Sequence, residues 1–182
     1  MGTQHNDQWV TVVKQKGFTL FELVISLLVI FILYGVLSFH LGRIAESSER
    51  AAVYGVLGQI QQQVNLKLAS FYIAGTQNKV SSLVDENPFT WVQPTLKSYA
   101  GEVSANETEL QAGFWYFDLS NKQMVYRVQR NEFLKVDGEQ GKELKFMLKL
   151  TRADADTQNK TRNFGVKIVP VKQFTWEIKS SF

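Results

Sequence analysis

A continuous apolar run near the amino terminus constrains this chain more than any other feature. Residues 23–39 read LVISLLVIFILYGVLSF and contain 17 positions without a charge, and the run extends back to Phe18 with Glu22 as its one charged side chain. A helix of this length crosses roughly 30 Å of hydrocarbon. The apolar residues surround the whole helix, whereas a surface helix of a soluble domain has a polar face. The run therefore predicts a single membrane span.

A secretory signal peptide is the main alternative to a permanent span. Its cleavage site would follow the run with small residues at alternating positions, but residues 40–43 read HLGR. Lys14 and Lys16 precede the run, whereas the cations behind it are matched by glutamates. Because positive charge is retained on the cytoplasmic side, we expect a cytoplasmic amino terminus.

Composition excludes several kinds of chemistry. The chain has no cysteine and only two histidines, His5 and His40, so disulfides, thiolate metal sites and cysteine nucleophiles are excluded. The net charge is +3 without a dense basic cluster, and no glycine-rich phosphate loop is present, so we expect neither a nucleic-acid partner nor a nucleotide enzyme. No cofactor, metal site or catalytic residue is predicted.

The segment that leads into the apolar run has a recognisable pattern. Residues 14–22 read KQKGFTLFE, which resembles the processing signature of type IV prepilins and type II secretion pseudopilins. In those families a basic leader ends in glycine, and a membrane peptidase cuts after it and methylates the new terminal residue. The resemblance implies leader cations at Lys14 and Lys16, cleavage between Gly17 and Phe18, and N-methylation of Phe18. It also implies that Glu22 is the acid that pairs between subunits during assembly.

Two physical explanations of Glu22 remain open at this point. A carboxylate near the end of a span costs about 2.5 to 3.5 kcal/mol on insertion scales. It is tolerated if it reaches the membrane surface in the first turns of a helix, where the helix dipole favours negative charge. The resemblance implies instead that it neutralises the amine freed at Phe18 of a neighbouring subunit, a buried pair that chiefly fixes register.

Two departures from the family pattern bear on the subfamily. Many members have a proline near the position of Phe39, whereas this span has only Gly35 and Gly42 as weak points. The absence of cysteine rules out the disulfide-closed loop of major pilins and favours a pseudopilin or a minor pilin. The segment at 87–89, NPF, and the hairpin sequence after residue 113 also resemble minor pilin-like proteins of the mannose-sensitive haemagglutinin pilus system.

Beyond the span, the periodicity predicts an amphipathic helix that ends at Gly75. Its apolar stripe consists of Val53, Leu57, Ile60, Val64, Leu68 and Phe71. Residues 76–98 are predicted to be an irregular connection. A hairpin is predicted at 114–128 with a turn at 120–122, a further strand at 143–150, and one or two strands between Phe164 and Ile178, separated near Pro170.

The acidic pairs do not have the spacing of a calcium loop and are interpreted as solvated turn residues. They are Asp85 with Glu86, Asp137 with Glu139, and Asp154 with Asp156. Residues 137–141 are interpreted as a tight turn before a strand. The triplets at 106–108 and 159–161 match a glycosylation acceptor pattern, and we assign them no role.

These observations predict an α+β, pilin-like fold in which a long amino-terminal helix packs on a carboxyl-terminal antiparallel sheet. The expected organisation is a leader at 1–17, a transmembrane and assembly half-helix at 18–40, an amphipathic half-helix at 41–75 and a periplasmic sheet domain at 76–182. The resemblance implies, as partners, prepilin peptidase, other pilin or pseudopilin subunits, an inner-membrane assembly platform and the lipid bilayer.

The leading hypothesis is a structural or minor subunit of a type IV pilus or a type II secretion pseudopilus, located in the inner membrane until assembly. One alternative is an unprocessed single-pass anchor whose sheet domain binds other assembly proteins. Another is a tip subunit that binds a glycan or DNA through exposed aromatic residues and the mildly basic carboxyl-terminal region. An enzyme is the hypothesis that the sequence supports least.

Overall fold

The computed structural model describes residues 17–104, 110–152 and 164–178. The chain divides into two units, Met1–Leu41 and Gly42–Phe182. Several sequence predictions lie outside the described residues. These are the leader cations Lys14 and Lys16, the acidic pair Asp154 with Asp156, and the acceptor triplets at 106–108 and 159–161.

Helix α1 spans Leu20–Ile73 and confirms the predicted long helix. It ends as predicted at Gly75, which has a φ of 67°. The N–H of Thr76 donates to the Phe71 carbonyl at 2.9 Å and the N–H of Gly75 donates to the Tyr72 carbonyl at 3.2 Å, which is the Schellman pattern. Glycine stops the helix here because a side chain disfavours the left-handed backbone.

The predicted apolar stripe is the face of α1 that packs on the sheet. Val53, Ile60 and Val64 are fully buried. Leu57, Leu68 and Phe71 are partly buried against the same hydrophobic core. A helix of mixed polarity is stabilised mainly by burying such a stripe, and here the sheet supplies the opposing surface.

Within the described residues the strands fall into two sheets. Their bounds are β1 (Tyr99–Val103), β2 (Trp115–Asp118), β3 (Gln123–Arg127), β4 (Leu134–Val136), β5 (Glu139–Gln140), β6 (Glu143–Arg152), β7 (Phe164–Pro170) and β8 (Phe174–Trp176). The larger sheet has the order β1-β2-β3-β6-β7 and the smaller has the order β5-β4-β8. The predicted hairpin is β2–β3, and the other predicted strands are β6, β7 and β8, so these predictions are confirmed.

The larger sheet is mostly antiparallel, and the exception is β1. This strand pairs with β2 in parallel, and its register shifts between Tyr99 and Gly101. The predicted α+β arrangement with a mostly antiparallel sheet is confirmed, and within this sheet the β1–β2 pairing is the parallel one among the described strands. Strand β1 was not predicted because its sequence, YAGEV, has neither β-branched alternation nor a tight turn before its partner.

In the smaller sheet, a two-residue turn joins β4 to β5. Asp137 and Gly138 have φ angles of 52° and 88°, so both adopt the left-handed backbone of a hairpin turn that Asp-Gly favours. The predicted tight turn is confirmed at 137–138, but it is shorter than the predicted range 137–141, because Glu139–Gln140 forms strand β5. Strand β8 completes this sheet by pairing with β4.

The connection from α1 to the first strand is more regular than predicted. It contains two 3₁₀ helices, Gln77–Val84 and Pro88–Trp91. Phe89 is buried and stacks on Tyr99 with ring centroids 4.4 Å apart. Phe89 belongs to the hydrophobic core, and Trp91 and Tyr99 pack against it.

Candidate functional site

The first half of α1 exposes its apolar residues on all sides. Each large apolar side chain recorded from Phe18 to Leu41 is 46–80% exposed. Among the described residues, α1 is the one helix that is long and apolar enough to cross a membrane. Exposure of this extent in water would be unfavourable by about 25 cal/mol for each Å² of apolar surface. This half of the helix therefore requires lipid or other helices around it.

The start of α1 is defined by Thr19. The N–H of Glu22 donates to the Thr19 hydroxyl at 3.3 Å, and the N–H of Leu23 donates to the Thr19 carbonyl at 3.1 Å. The residues from Thr19 to Glu22 thus have the spacing of a capping box, in which a threonine cap precedes a glutamate three residues later. The Ser26 hydroxyl donates to the Glu22 carbonyl at 2.7 Å, which satisfies a hydroxyl within the apolar surface.

The Glu22 carboxylate lies in the first turn of α1, and its residue is exposed. It has no hydrogen-bond or ion-pair partner among residues 17–104, 110–152 and 164–178. Its position in the first turn is favourable because the helix dipole attracts negative charge there. Desolvation in lipid would nonetheless be costly without a cation, and a cation that pairs with Glu22 in lipid would have to come from outside the described residues.

One comparison with known proteins bears on this segment. A family model described as "Prokaryotic N-terminal methylation motif" matches residues 13–37. The amino terminus is of the prepilin type. The motif supports a type IV pilin-like structural subunit that is processed by prepilin peptidase, and together with the apolar helix it fits a membrane-anchored protein. The finer resemblance to the mannose-sensitive haemagglutinin system is not confirmed. No curated protein and no solved structure matches the chain.

The prepilin-type segment presents its expected cleavage site openly. Among the described residues, Gly17 has no heavy atom within 4 Å of the position that a Cβ would take, and it precedes the helix. Phe18 is 70% exposed. Both residues therefore lie before the helix, at positions that the described residues leave accessible. The structure brings Gly17, Phe18 and Glu22 into one short segment.

A second functional feature fixes α1 to the sheet domain through two carboxylates, of which the first is buried. Glu46 is only 2% exposed. It accepts hydrogen bonds from the Phe133 N–H at 2.9 Å and from the Trp176 indole N–H at 2.8 Å. One carboxylate oxygen thus joins the helix to the segment before β4 and to β8. Hydrogen bonds to an ionised acceptor are stronger than those between neutral groups.

Glu49 forms the second of these links, one turn further along the same face. Its carboxylate accepts from the backbone N–H groups of Gln129 at 2.6 Å and Arg130 at 3.0 Å, and from the Tyr126 hydroxyl at 3.0 Å. Burial raises the pKa of Tyr126, and the charge and hydrogen bond of Glu49 raise it further. Tyr126 therefore remains a neutral donor to Glu49 across the ordinary pH range.

Arg50 adds a cationic contact to the same region. Its guanidinium donates to the Trp176 carbonyl at 2.6 Å, so Trp176 is bonded to α1 through both its side chain and its backbone. We call Glu46, Glu49 and Arg50 the helix clasp. The clasp fixes how the second half of α1 lies on the two sheets.

Sequence reasoning missed the helix clasp, although a signal was present. Glu46 and Glu49 precede Val53 by seven and four residues, so both are in phase with the apolar stripe. Polar residues in phase with a buried stripe predict buried, hydrogen-bonded groups. In the sequence alone, Glu46 and Glu49 stand out only as charges that balance Arg43 and Arg50.

The other candidate sites have structural explanations. Among the described residues, no group of three or more potential metal ligands comes together. Asp137 forms an ion pair with Lys172 at 3.0 Å, and Glu86 lies 3.7 Å from the Lys67 ammonium. These acids lie at exposed or half-exposed positions, where such pairs contribute little to stability.

Proposed function

We propose that this protein is a filament subunit that is cleaved after Gly17, N-methylated on Phe18 and assembled through the first half of α1. The observation that carries the proposal is the methylation motif at residues 13–37, which coincides with a helix whose apolar residues are exposed on every side. During assembly the first half of α1 exchanges contacts with lipid for contacts with other helices, and this role requires no catalytic turnover. The filament is a type IV pilus or a type II secretion pseudopilus.

The charge on Glu22 supports an assembly role. Cleavage after Gly17 creates a cationic amine on Phe18, four residues before Glu22. In each subunit the Phe18 amine and the Glu22 carboxylate lie near the same end of the helix. A second subunit that is shifted along the helix axis can therefore place its amine beside Glu22 of the first. Such a pair fixes register, because removing one partner leaves a stranded charge that costs about 3–5 kcal/mol.

The orientation follows from the charges around the span. Lys14 and Lys16 lie before the apolar run, so the leader remains in the cytoplasm and the sheet domain lies on the periplasmic side of the inner membrane. The cleavage site is then at the cytoplasmic end of the span, where a membrane peptidase can act on it.

A Glu22→Ala variant tests the assembly role in cells that contain prepilin peptidase and the assembly machinery. We expect normal processing but loss of the protein from the sheared filament fraction, because the terminal amine loses its carboxylate partner. Ser26→Ala is the matched control, since it changes the same helix one turn later without removing a charge. Incorporation of Glu22→Ala at the level of the unaltered protein would overturn the proposed pairing.

An outcome without processing would favour a permanent anchor instead. If the unaltered protein retains its leader in those cells and is absent from filaments, its role is that of a single-pass assembly factor. The sheet domain would then be the part that binds partners.

A further inference from the structure

Strand β7 lies at one edge of the larger sheet. A single side chain of α1 forms hydrogen bonds with the backbone of this strand. Gln61 donates through Nε2 to the Val166 carbonyl at 3.1 Å and accepts the Ile168 N–H at 3.0 Å. Strand β7 has β6 as its one neighbour in the sheet order. Unpaired edges attract other strands, and proteins commonly cover them. Gln61 covers two of the outward-facing backbone groups of this edge.

The backbone groups that Gln61 bonds are those that an added strand would bond. In an antiparallel strand the N–H and the carbonyl of one residue point to the same side. Lys167 lies between Val166 and Ile168, so its backbone groups point to β6, where it is paired with Lys149. The carboxamide of Gln61 therefore supplies the acceptor and the donor that an incoming main chain would supply on either side of Lys167.

A groove follows the same edge on both sides of Gln61. One cavity of about 400 Å³ includes Asn65, Thr151 and Lys167 in its wall. Another of about 470 Å³ is lined mainly by apolar side chains, among them Leu57 and Phe146. Gln61 lines both cavities, so its side chain lies between two stretches of groove that the described residues leave open along β7.

The charges on the outer face of the sheet indicate which kind of side chain a strand bound at β7 would carry. Lys149 and Lys167 are exposed and directly opposite each other in the β6–β7 register. Neither forms an ion pair with a residue that the structure describes. Like charges in directly opposed positions are destabilising, and opposite charges stabilise such a pair. A strand added to β7 would place one further residue in line with Lys149 and Lys167, directly opposite Lys167.

We propose that the edge of β7 binds an extended segment of another polypeptide chain, which displaces Gln61 and places an acidic side chain opposite Lys167. Recognition is by strand addition, in which main-chain hydrogen bonds give affinity and alternate side chains give specificity. Residues opposite Lys167 form a non-hydrogen-bonded pair, in which side chains approach most closely. The site consists of residues of the second unit, Gly42–Phe182, and the proposal does not depend on filament assembly.

Binding of a short labelled peptide to the full-length protein in detergent micelles tests this proposal by fluorescence anisotropy. The peptide alternates threonine and valine around one central glutamate, and its counterpart has lysine at the centre. We expect the glutamate peptide to bind about fivefold more tightly. In Gln61→Ala its affinity is expected to rise about fivefold, because no side chain competes for Val166 and Ile168.

Charge reversal at the strand identifies the site. Lys167→Glu is expected to reverse the preference, so that the lysine peptide binds more tightly. This variant also places opposite charges at the 149–167 pair, so we expect it to fold. Lys135→Glu on β4, exposed in the other sheet, is the matched control and should leave the preference unchanged. Absence of binding to Gln61→Ala, or a preference that Lys167→Glu does not reverse, would overturn the proposal.

Discussion

At the scale of single residues, carboxylates in the sheet domain act by accepting several hydrogen bonds at once. Asp118 is 9% exposed and accepts from the N–H groups of Ser120 and Asn121 and from the Asn121 side-chain amide, at 2.7–3.1 Å. It thereby closes the β2–β3 turn. Burial alone would raise the pKa of Asp118, but these hydrogen bonds and the charge of Lys145 outweigh it, so the pKa is lowered.

The lowered pKa of Asp118 gives a pH-dependent prediction. A group with a depressed folded-state pKa stabilises the protein above its unfolded pKa and loses that contribution as the pH falls through the folded value. Asp118→Asn should therefore lower the free energy of unfolding by about 1–2 kcal/mol at pH 7, and by progressively less below pH 3.8, the ordinary value. Denaturant unfolding in detergent micelles, followed by tryptophan fluorescence, measures the free energy of unfolding at each pH.

The control for this experiment is Asp85→Asn, because Asp85 is exposed in the 3₁₀ connection. We expect it to change the free energy of unfolding little at either pH. A deficit for Asp118→Asn that stays constant from pH 7 to low pH would contradict the electrostatic explanation.

Glu46 gives a second prediction at this scale. Glu46→Leu leaves the Phe133 N–H and the Trp176 indole N–H without their buried acceptor, so it should lower the free energy of unfolding by about 2–4 kcal/mol. Glu46→Gln retains one acceptor oxygen and should cost less. Glu132→Gln, at an exposed position, is the control for loss of charge. Equal stability of Glu46→Leu and the unaltered protein would show that the clasp contributes nothing to stability.

At the scale of secondary-structure elements, local sequence patterns predict individual helices and hairpins, but they do not predict which distant strands pair. The helix stripe, its glycine stop and the β2–β3 hairpin follow from periodicity and turn residues, which act over a few positions. The parallel pairing of β1 with β2 and the pairing of β4 with β8 join distant segments. A short strand such as Leu134–Val136 carries no such pattern, because its partners determine that it is a strand.

The same distinction applies to the candidate site. The motif from Lys14 to Glu22 is local, so the sequence predicts it in full. The helix clasp depends on backbone N–H groups about 80 residues away from Glu49, and no local pattern specifies which loop will meet the helix. Only the phase of Glu46 and Glu49 with the stripe indicates that they face inward.

Packing of α1 against the sheet gives a prediction at the scale of elements. Ile60→Ala removes a fully buried side chain from the stripe, and we expect the free energy of unfolding to fall by about 2–5 kcal/mol. Leu66→Ala on the same helix is the matched control, because Leu66 is 57% exposed. It should change stability by less than about 0.5 kcal/mol in the same assay. Similar losses for the two variants would contradict the assignment of the buried face.

At the scale of the whole molecule, the two units meet different physical requirements. Residues 42–182 contain the buried core, the two sheets and the helix clasp. In residues 1–41, the apolar side chains that the structure describes are exposed, and they need lipid or neighbouring helices. One chain thus combines a domain that buries its own core with a segment that must find its apolar surroundings elsewhere.

The measurement that tests the central claim most directly is the intact mass of the membrane-extracted protein, with its amino-terminal sequence, after expression with and without prepilin peptidase. With the peptidase, we expect a chain that begins at Phe18 and carries one added methyl group. Without it, the chain should retain the leader. A chain that keeps residues 1–17 in the presence of active peptidase would contradict the account and leave the permanent anchor as the explanation of the apolar helix.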